Sequence, residues 1–76
     1  MLSTSYHFEN STAQENFVRK VRAFKEEQRL SEEDVEISMH ELDVCVVILV
    51  QDDWREYVIH HFIQCMYENK PTMFAI

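Results

Sequence analysis

An uninterrupted apolar run from Val44 to Val50, bounded by Asp43 and Asp52, constrains the fold more than any other feature of the chain. Most of its members are β-branched, and a continuous run of this composition predicts a strand that is buried on both faces. The run is far too short to cross a bilayer, which takes about 20 residues. We therefore expect this segment to lie inside a folded, soluble domain.

A buried strand must pair its backbone groups with a neighbouring strand. The nearest candidate is the stretch 35–41, where apolar and polar residues alternate before the chain turns through 41–43. We expect a β-hairpin here, although the Asn-Gly or Asp-Gly pair that tight hairpin turns prefer is absent. A helical spacing also fits 31–42, so a helix in this segment is the alternative.

The first half of the chain predicts one amphipathic helix over 12–29. Ser11 or Thr12 offers an N-cap hydroxyl just before an apolar stripe at helical spacing. The stripe consists of Phe17, Val21 and Phe24.

A second helix is predicted to begin with Asp52 or Asp53 as its N-cap and to end by Asn69, since Pro71 disfavours helix at the residue before it. Its apolar residues cover more than one face. Part of them is therefore expected to form an apolar surface for a second protomer or another partner, namely Trp54, Tyr57, Ile59, Ile63 and Tyr67.

These segments predict a single α+β domain over residues 1–76, with the order α-β-β-α and a small antiparallel sheet packed against two helices. Residues 1–10 form a partly ordered N-terminal arm in this scheme, whose Tyr6 and Phe8 can dock on the core or add an edge strand. A short edge strand at 72–76 is a further option. Two strands are few for a stable sheet, so we expect a homodimer that completes it.

Composition excludes several functions. The 76 residues contain no glycine, and the loops that cradle phosphates need it, so P-loop and dinucleotide sites are not expected. We expect no signal peptide, because no basic stretch followed by an apolar one stands near Met1. Cys45 and Cys65 lie in apolar segments where reduced thiols behave as small hydrophobes. A cytoplasmic protein is the expectation.

The charge is segregated along the chain. Residues 19–30 carry five basic residues against two glutamates, whereas residues 31–56 carry nine carboxylates against Arg55 alone. The net charge is -7 and the isoelectric point is near 4.9. The nine carboxylates, called the acidic set below, are Glu32, Glu33, Asp34, Glu36, Glu41, Asp43, Asp52, Asp53 and Glu56.

Regularly spaced carboxylates imitate the phosphates of DNA, which carry one charge per about 3.4 Å on each strand. The acidic set therefore favours a small inhibitor that occupies the DNA-binding surface of a basic protein, such as a histone-like nucleoid protein. DNA mimics of this character, used by phages in host takeover, share no sequence motif. Two alternatives are an adaptor that binds through its apolar helix face and a surface whose acids only confer solubility.

Direct binding of nucleic acid by Arg22, Lys25 and Arg29 is disfavoured by the overall charge. His61 and Cys65 lie four residues apart on the second helix, a spacing that suits a metal, with Cys45 or His40 as further ligands. The scattered ligands make this signal weak, and a thiol buried on an apolar helix face is inert. We expect neither a metal, nor a cofactor, nor an enzyme.

Overall fold

In a computed structural model that describes residues 1–69, the chain is an α+β fold with a three-stranded antiparallel sheet and two helices. The order is β-α-β-β-α, so the predicted order lacked the first strand. The option of a strand at 72–76 lies outside the described residues. The elements are β1 (Leu2–His7), α1 (Ser11–Glu27), β2 (Val35–His40), β3 (Asp43–Ile48) and α2 (Asp53–Glu68).

The predicted hairpin is formed by β2 and β3, and the alternative of a helix over 31–42 is wrong. His40 pairs with Asp43 across a two-residue turn. Glu41 takes a φ of 56° there, a left-handed conformation that glycine or asparagine adopts more easily. The turn thus forms without the residues that usually build it.

β3 is the central strand, and it is buried on one face instead of both. Val44, Val46 and Ile48 are buried, whereas Cys45 and Val47 are half-buried. The reason is that the side chains facing the helices are covered, while no described element covers the opposite face. We call that opposite side of the sheet the open face.

β1 occupies the segment for which we expected a partly ordered arm. It pairs with β3 from Leu2↔Ile48 to His7↔Asp43, which places β3 between β1 and β2. Tyr6 anchors β1 in the core, with its ring 5.1 Å from that of Phe17. The edge-strand option for this segment is therefore the one that the chain adopts.

Both helices are capped by side chains. Asn10, instead of the predicted Ser11 or Thr12, accepts a hydrogen bond from the Ala13 amide at the start of α1. Asp52 accepts from the Arg55 amide at the start of α2, in agreement with one of the two predicted caps. Within residues 1–69, neither helix has the length and apolarity needed to span a bilayer.

Candidate protein-binding surface

Seven members of the acidic set lie at one end of the sheet, which we call the acidic end. β2 begins there and β3 ends there, as the pair Val35↔Ile48 shows. The loop before β2 is held beside β3 because the Leu49 amide donates to the Asp34 carbonyl over 2.7 Å. The seven residues of the acidic end are Glu32, Glu33, Asp34, Glu36, Asp52, Asp53 and Glu56.

Glu41 and Asp43 lie at the opposite end, in and beside the hairpin turn. Five steps of strand separate Val35 from His40, or roughly 16 Å at the usual rise per residue. Asp43 is engaged there, since its Oδ1 lies 2.6 Å from Nδ1 of His7. The structure thus does not bring all nine predicted carboxylates together, and we call the end that holds this turn the hairpin end.

A buried lysine pairs with one carboxylate of the acidic end. Lys25 is 5% exposed, and its Nζ donates to Glu32 Oε1 over 2.9 Å and to the Val35 carbonyl over 2.8 Å. The hydrogen bond and charge of Lys25, with a smaller contribution from Arg22, lower the pKa of Glu32. Since Lys25 is committed to these contacts, the basic helix face that was considered for phosphate binding, and disfavoured, loses its central member.

Asp34 holds the loop in shape. Its carboxylate accepts hydrogen bonds from the amide and the hydroxyl of Ser31, over 2.9 and 3.2 Å. The bond from the Ser31 amide is the main cause of the lowered pKa of Asp34, and the charge of Arg55 contributes in the same direction. The influence of Arg55 shows that the first turn of α2 lies near this loop.

Glu56 and Asp52 also have partners. Glu56 Oε2 lies 3.1 Å from the amino group of Met1, and Asp52 caps α2. Glu33, Glu36 and Asp53 are exposed, and within residues 1–69 their side chains make no hydrogen bond or ion pair. The carboxylates of the acidic end therefore outnumber the cationic groups that contact them.

The structure divides the predicted apolar face of α2. Ile59 and Ile63 are 5% and 1% exposed and belong to the core, so they offer a partner almost no surface. Tyr67 is half-buried, and its hydroxyl donates to the His7 carbonyl over 2.9 Å. Only Trp54 and Tyr57 remain exposed, at 66% and 54%.

Trp54 and Tyr57 stack at a centroid distance of 5.8 Å. Trp54 also borders an open groove of about 210 Å³ between the end of α1 and the first half of α2. Because α2 begins at the acidic end, the groove and the carboxylates adjoin. The groove is lined by Phe24, Gln28, Leu30, Trp54, Arg55, Val58, Ile59 and Phe62.

Sequence reasoning missed this groove. Phe24 was assigned to the apolar stripe of α1 and Trp54 to a partner face, but nothing in their spacing shows that the two helices meet beside them. Leu30, the first apolar residue after α1, was the available signal, because an isolated leucine next to a helix end often packs back against it.

The residues considered for metal binding do not converge. Cys65 Sγ lies 3.6 Å from His61 Nε2 on α2, but Cys45 projects from β3 on the open face. Among residues 1–69, no three histidine, cysteine, aspartate or glutamate side chains are grouped so that they could hold a metal ion. Both cysteines are free thiols.

Comparison of the chain with protein-family models, with curated proteins and with solved structures finds no match. The features of this protein that bear on its function are therefore the geometry of the acidic end and of the groove beside it.

Proposed function

We propose that this protein is a small inhibitor whose acidic end occupies the nucleic-acid-binding surface of a basic protein, in the manner of a DNA mimic. One observation carries the proposal: seven carboxylates from two separate stretches of the chain, residues 32–36 and residues 52–56, are held at one end of the sheet. A binding protein of this kind needs no catalytic residues and no cofactor.

Rigidity supports this function. Asp34 is fixed by Ser31, Glu32 by Lys25, and Asp52 by its role as helix cap. Carboxylates that are held in place lose little side-chain entropy when a basic surface binds them, unlike acids on a disordered tail. The carboxylates of the acidic end that make no hydrogen bond or ion pair within residues 1–69 are Glu33, Glu36 and Asp53. They supply the electrostatic field that attracts and orients a basic partner.

The exposed Trp54 and Tyr57 favour a second candidate function, an adaptor that binds its partner through the apolar groove. Tryptophan and tyrosine are the residue types most enriched among binding hot spots. In this case the acids confer solubility and the affinity comes from the groove. The two functions predict opposite responses to salt, because exposed charges are screened whereas apolar contacts are not.

A competition assay tests the proposed function. A labelled DNA duplex is first bound to a purified histone-like nucleoid protein. The proposed inhibitor is then added in two parallel experiments, one at about 50 mM and one at about 300 mM NaCl, where screening differs strongly. We expect the added inhibitor to release the DNA at the lower salt concentration. At the higher one it should add much less to the release that salt itself causes, which a sample without the inhibitor measures. Release that is equal at both concentrations would support the adaptor.

Two double variants with the same change in charge sharpen the assay. E33K/D53K reverses free carboxylates at the acidic end, whereas E9K/E15K reverses two exposed carboxylates near the hairpin end. The first variant should abolish release of the DNA and the second should largely preserve it. Equal losses from both variants would mean that only net charge matters, and loss of binding with W54A/Y57A alone would favour the adaptor.

A further inference from the structure

We propose that the free edge of β2 is a self-association surface, on which a second copy of this chain pairs its own β2 in the antiparallel direction, with the two-fold axis at Ser38. The two sheets then form one continuous six-stranded sheet. This inference concerns assembly and does not depend on the proposed inhibitory function.

β2 is an edge strand with unpaired backbone groups. It pairs with β3 on one side, and no described residue pairs with its other side. The hydrogen bond from Leu49 to Asp34 fixes the alternation, so residues 36, 38 and 40 point their backbone groups towards β3. The amides and carbonyls of Ile37 and Met39 therefore point outward, where another strand can pair with them. Those of Val35 also point outward, but its amide donates to the Ser31 carbonyl and its carbonyl accepts from Lys25.

Two apolar side chains of β2 are left partly uncovered, as expected for a surface that a second chain covers. Met39 is 52% exposed and Ile37 is half-buried, although both lie on the face of the sheet that the helices cover. The helices pack on β3, and α2 also packs on β1, so the apolar side of β2 is the least protected part of that face. The β1 edge shows no comparable apolar exposure, since Tyr6 is buried and Leu2 and Thr4 are half-buried.

The position of the two-fold axis follows from complementarity. An axis at Ser38 places Ile37 opposite Met39 of the second copy, and both of these residues have outward backbone groups. On the open face the same register places Glu36 opposite His40 of the second copy, at the short spacing of a non-hydrogen-bonded pair. Each copy thus supplies an apolar and a polar partner to the other.

An axis at Ile37 is the nearest competitor, and the structure argues against it. That register would use the carbonyl of Val35 as an acceptor for Met39 of the second copy. The Val35 carbonyl already accepts a hydrogen bond from Lys25 Nζ. It would also place Glu36 opposite Ser38, so the carboxylate would lose the ring N–H that His40 can donate to it.

The groove between α1 and β2 has the same two-fold complementarity. It has a volume of about 270 Å³ and is lined by Glu15, Val18, Arg19, Arg22 and Met39. Arg19 donates a hydrogen bond to Asn16 of its own helix, so Glu15 and Arg22 are the charges considered for pairing between copies. Gln14 contacts the hairpin turn and Lys25 contacts the start of β2, so α1 runs antiparallel to β2. A two-fold axis near the middle of β2 therefore brings Glu15 of one copy towards Arg22 of the other.

Disulfide trapping tests the register directly. Residues at a two-fold axis in a non-hydrogen-bonded pair have Cα atoms about 4.5 Å apart, within the range of disulfides. S38C is introduced in a C45S background, because Ser38 pairs with Cys45 in the same chain. Air oxidation should yield a covalent dimer, visible on a non-reducing gel.

The matched control is S5C in the same background, since Ser5 flanks Cys45 on the β1 side. It should remain monomeric under the same oxidation. Equal or greater dimer formation by S5C would overturn the proposal, as would the absence of a covalent dimer in the S38C variant.

Sedimentation equilibrium tests the interface without a disulfide. M39K should raise the dissociation constant of the dimer about tenfold or more, because it puts a charge opposite Ile37 and beside Arg22. W54K, at an apolar residue of α2 that is more exposed than Met39, should leave the dimer intact. A wild-type chain that stays monomeric at high concentration would contradict the inference.

A charge swap reports on the register once more. E36K and H40E should each weaken the dimer, and the double variant E36K/H40E should restore it, because the introduced charges face each other only across an axis at Ser38. Circular dichroism checks that each variant is folded. Failure of the double variant to recover would exclude this register.

Discussion

At the scale of single residues, Lys25 shows how a charged side chain can serve the core. Its side chain is buried between the last turn of α1 and the start of β2, and its ammonium group donates to both Glu32 and the outward carbonyl of Val35. An outward carbonyl at a sheet edge is a site for unwanted pairing, and Lys25 closes it. The sequence placed this residue on a solvated basic face, because a lysine at that helical position gives no sign of the loop that folds over it.

We expect K25M to lower the free energy of unfolding by about 1–3 kcal/mol, the usual cost of leaving a buried hydrogen-bonding group unpaired. Methionine keeps the aliphatic packing of the lysine stem, so the loss reports on the ammonium group. Urea denaturation measures the difference. K20M, at an exposed position of the same helix, is the control and should change stability by less than about 0.5 kcal/mol. Equal stability of K25M and wild type would show that the buried contacts contribute nothing.

At the scale of elements, the sequence predicted those helices and strands whose apolar periodicity or capping residues mark them. Both helices and the hairpin follow from apolar spacing and from the cap residues near positions 10 and 52. β1 was predicted only as an option beside a partly ordered arm, because the segment that forms it contains few apolar residues and is a weak strand signal. The burial of β3 was overestimated because Cys45 and Val47 are apolar on the open face as well, so the run carries no alternation.

The hairpin turn supplies a prediction at this scale. Glu41 has a φ of 56°, a left-handed conformation that costs a residue with a β-carbon about 1–2 kcal/mol, while asparagine tolerates it better. We therefore expect E41N to raise the free energy of unfolding by about 0.5–1 kcal/mol.

Thermal or urea unfolding checks this gain. E33N is the matched control, because it removes the same charge from an exposed turn residue whose φ is not positive. It should leave stability nearly unchanged. If both variants gain equally, relief of charge repulsion and not the backbone of the turn is responsible.

At the scale of the whole molecule, the hairpin explains why the candidate site was only partly predictable. The sequence shows carboxylates concentrated in residues 31–56, but an antiparallel hairpin returns the chain to its starting end and leaves its turn at the other. Residues before β2 and after β3 therefore gather at the acidic end, and Glu41 and Asp43 are carried to the hairpin end. The topology of the hairpin thus decides which carboxylates that are close in sequence are also close in the folded chain.

The gathering of carboxylates has a consequence that needs no partner. Like charges held together repel, and NaCl screens them with a Debye length of about 10 Å at 0.1 M. We expect the free energy of unfolding of the wild type to rise between about 20 and about 500 mM NaCl, as measured by urea denaturation at neutral pH.

E33K/D53K should lose much of this rise, because it introduces cations among the remaining carboxylates. E9K/E15K changes the net charge equally at a distance from the acidic end, so it should retain more of the rise. If the two variants respond alike, the carboxylates of the acidic end are not crowded enough to act as a unit, and the electrostatic basis of DNA mimicry fails with them.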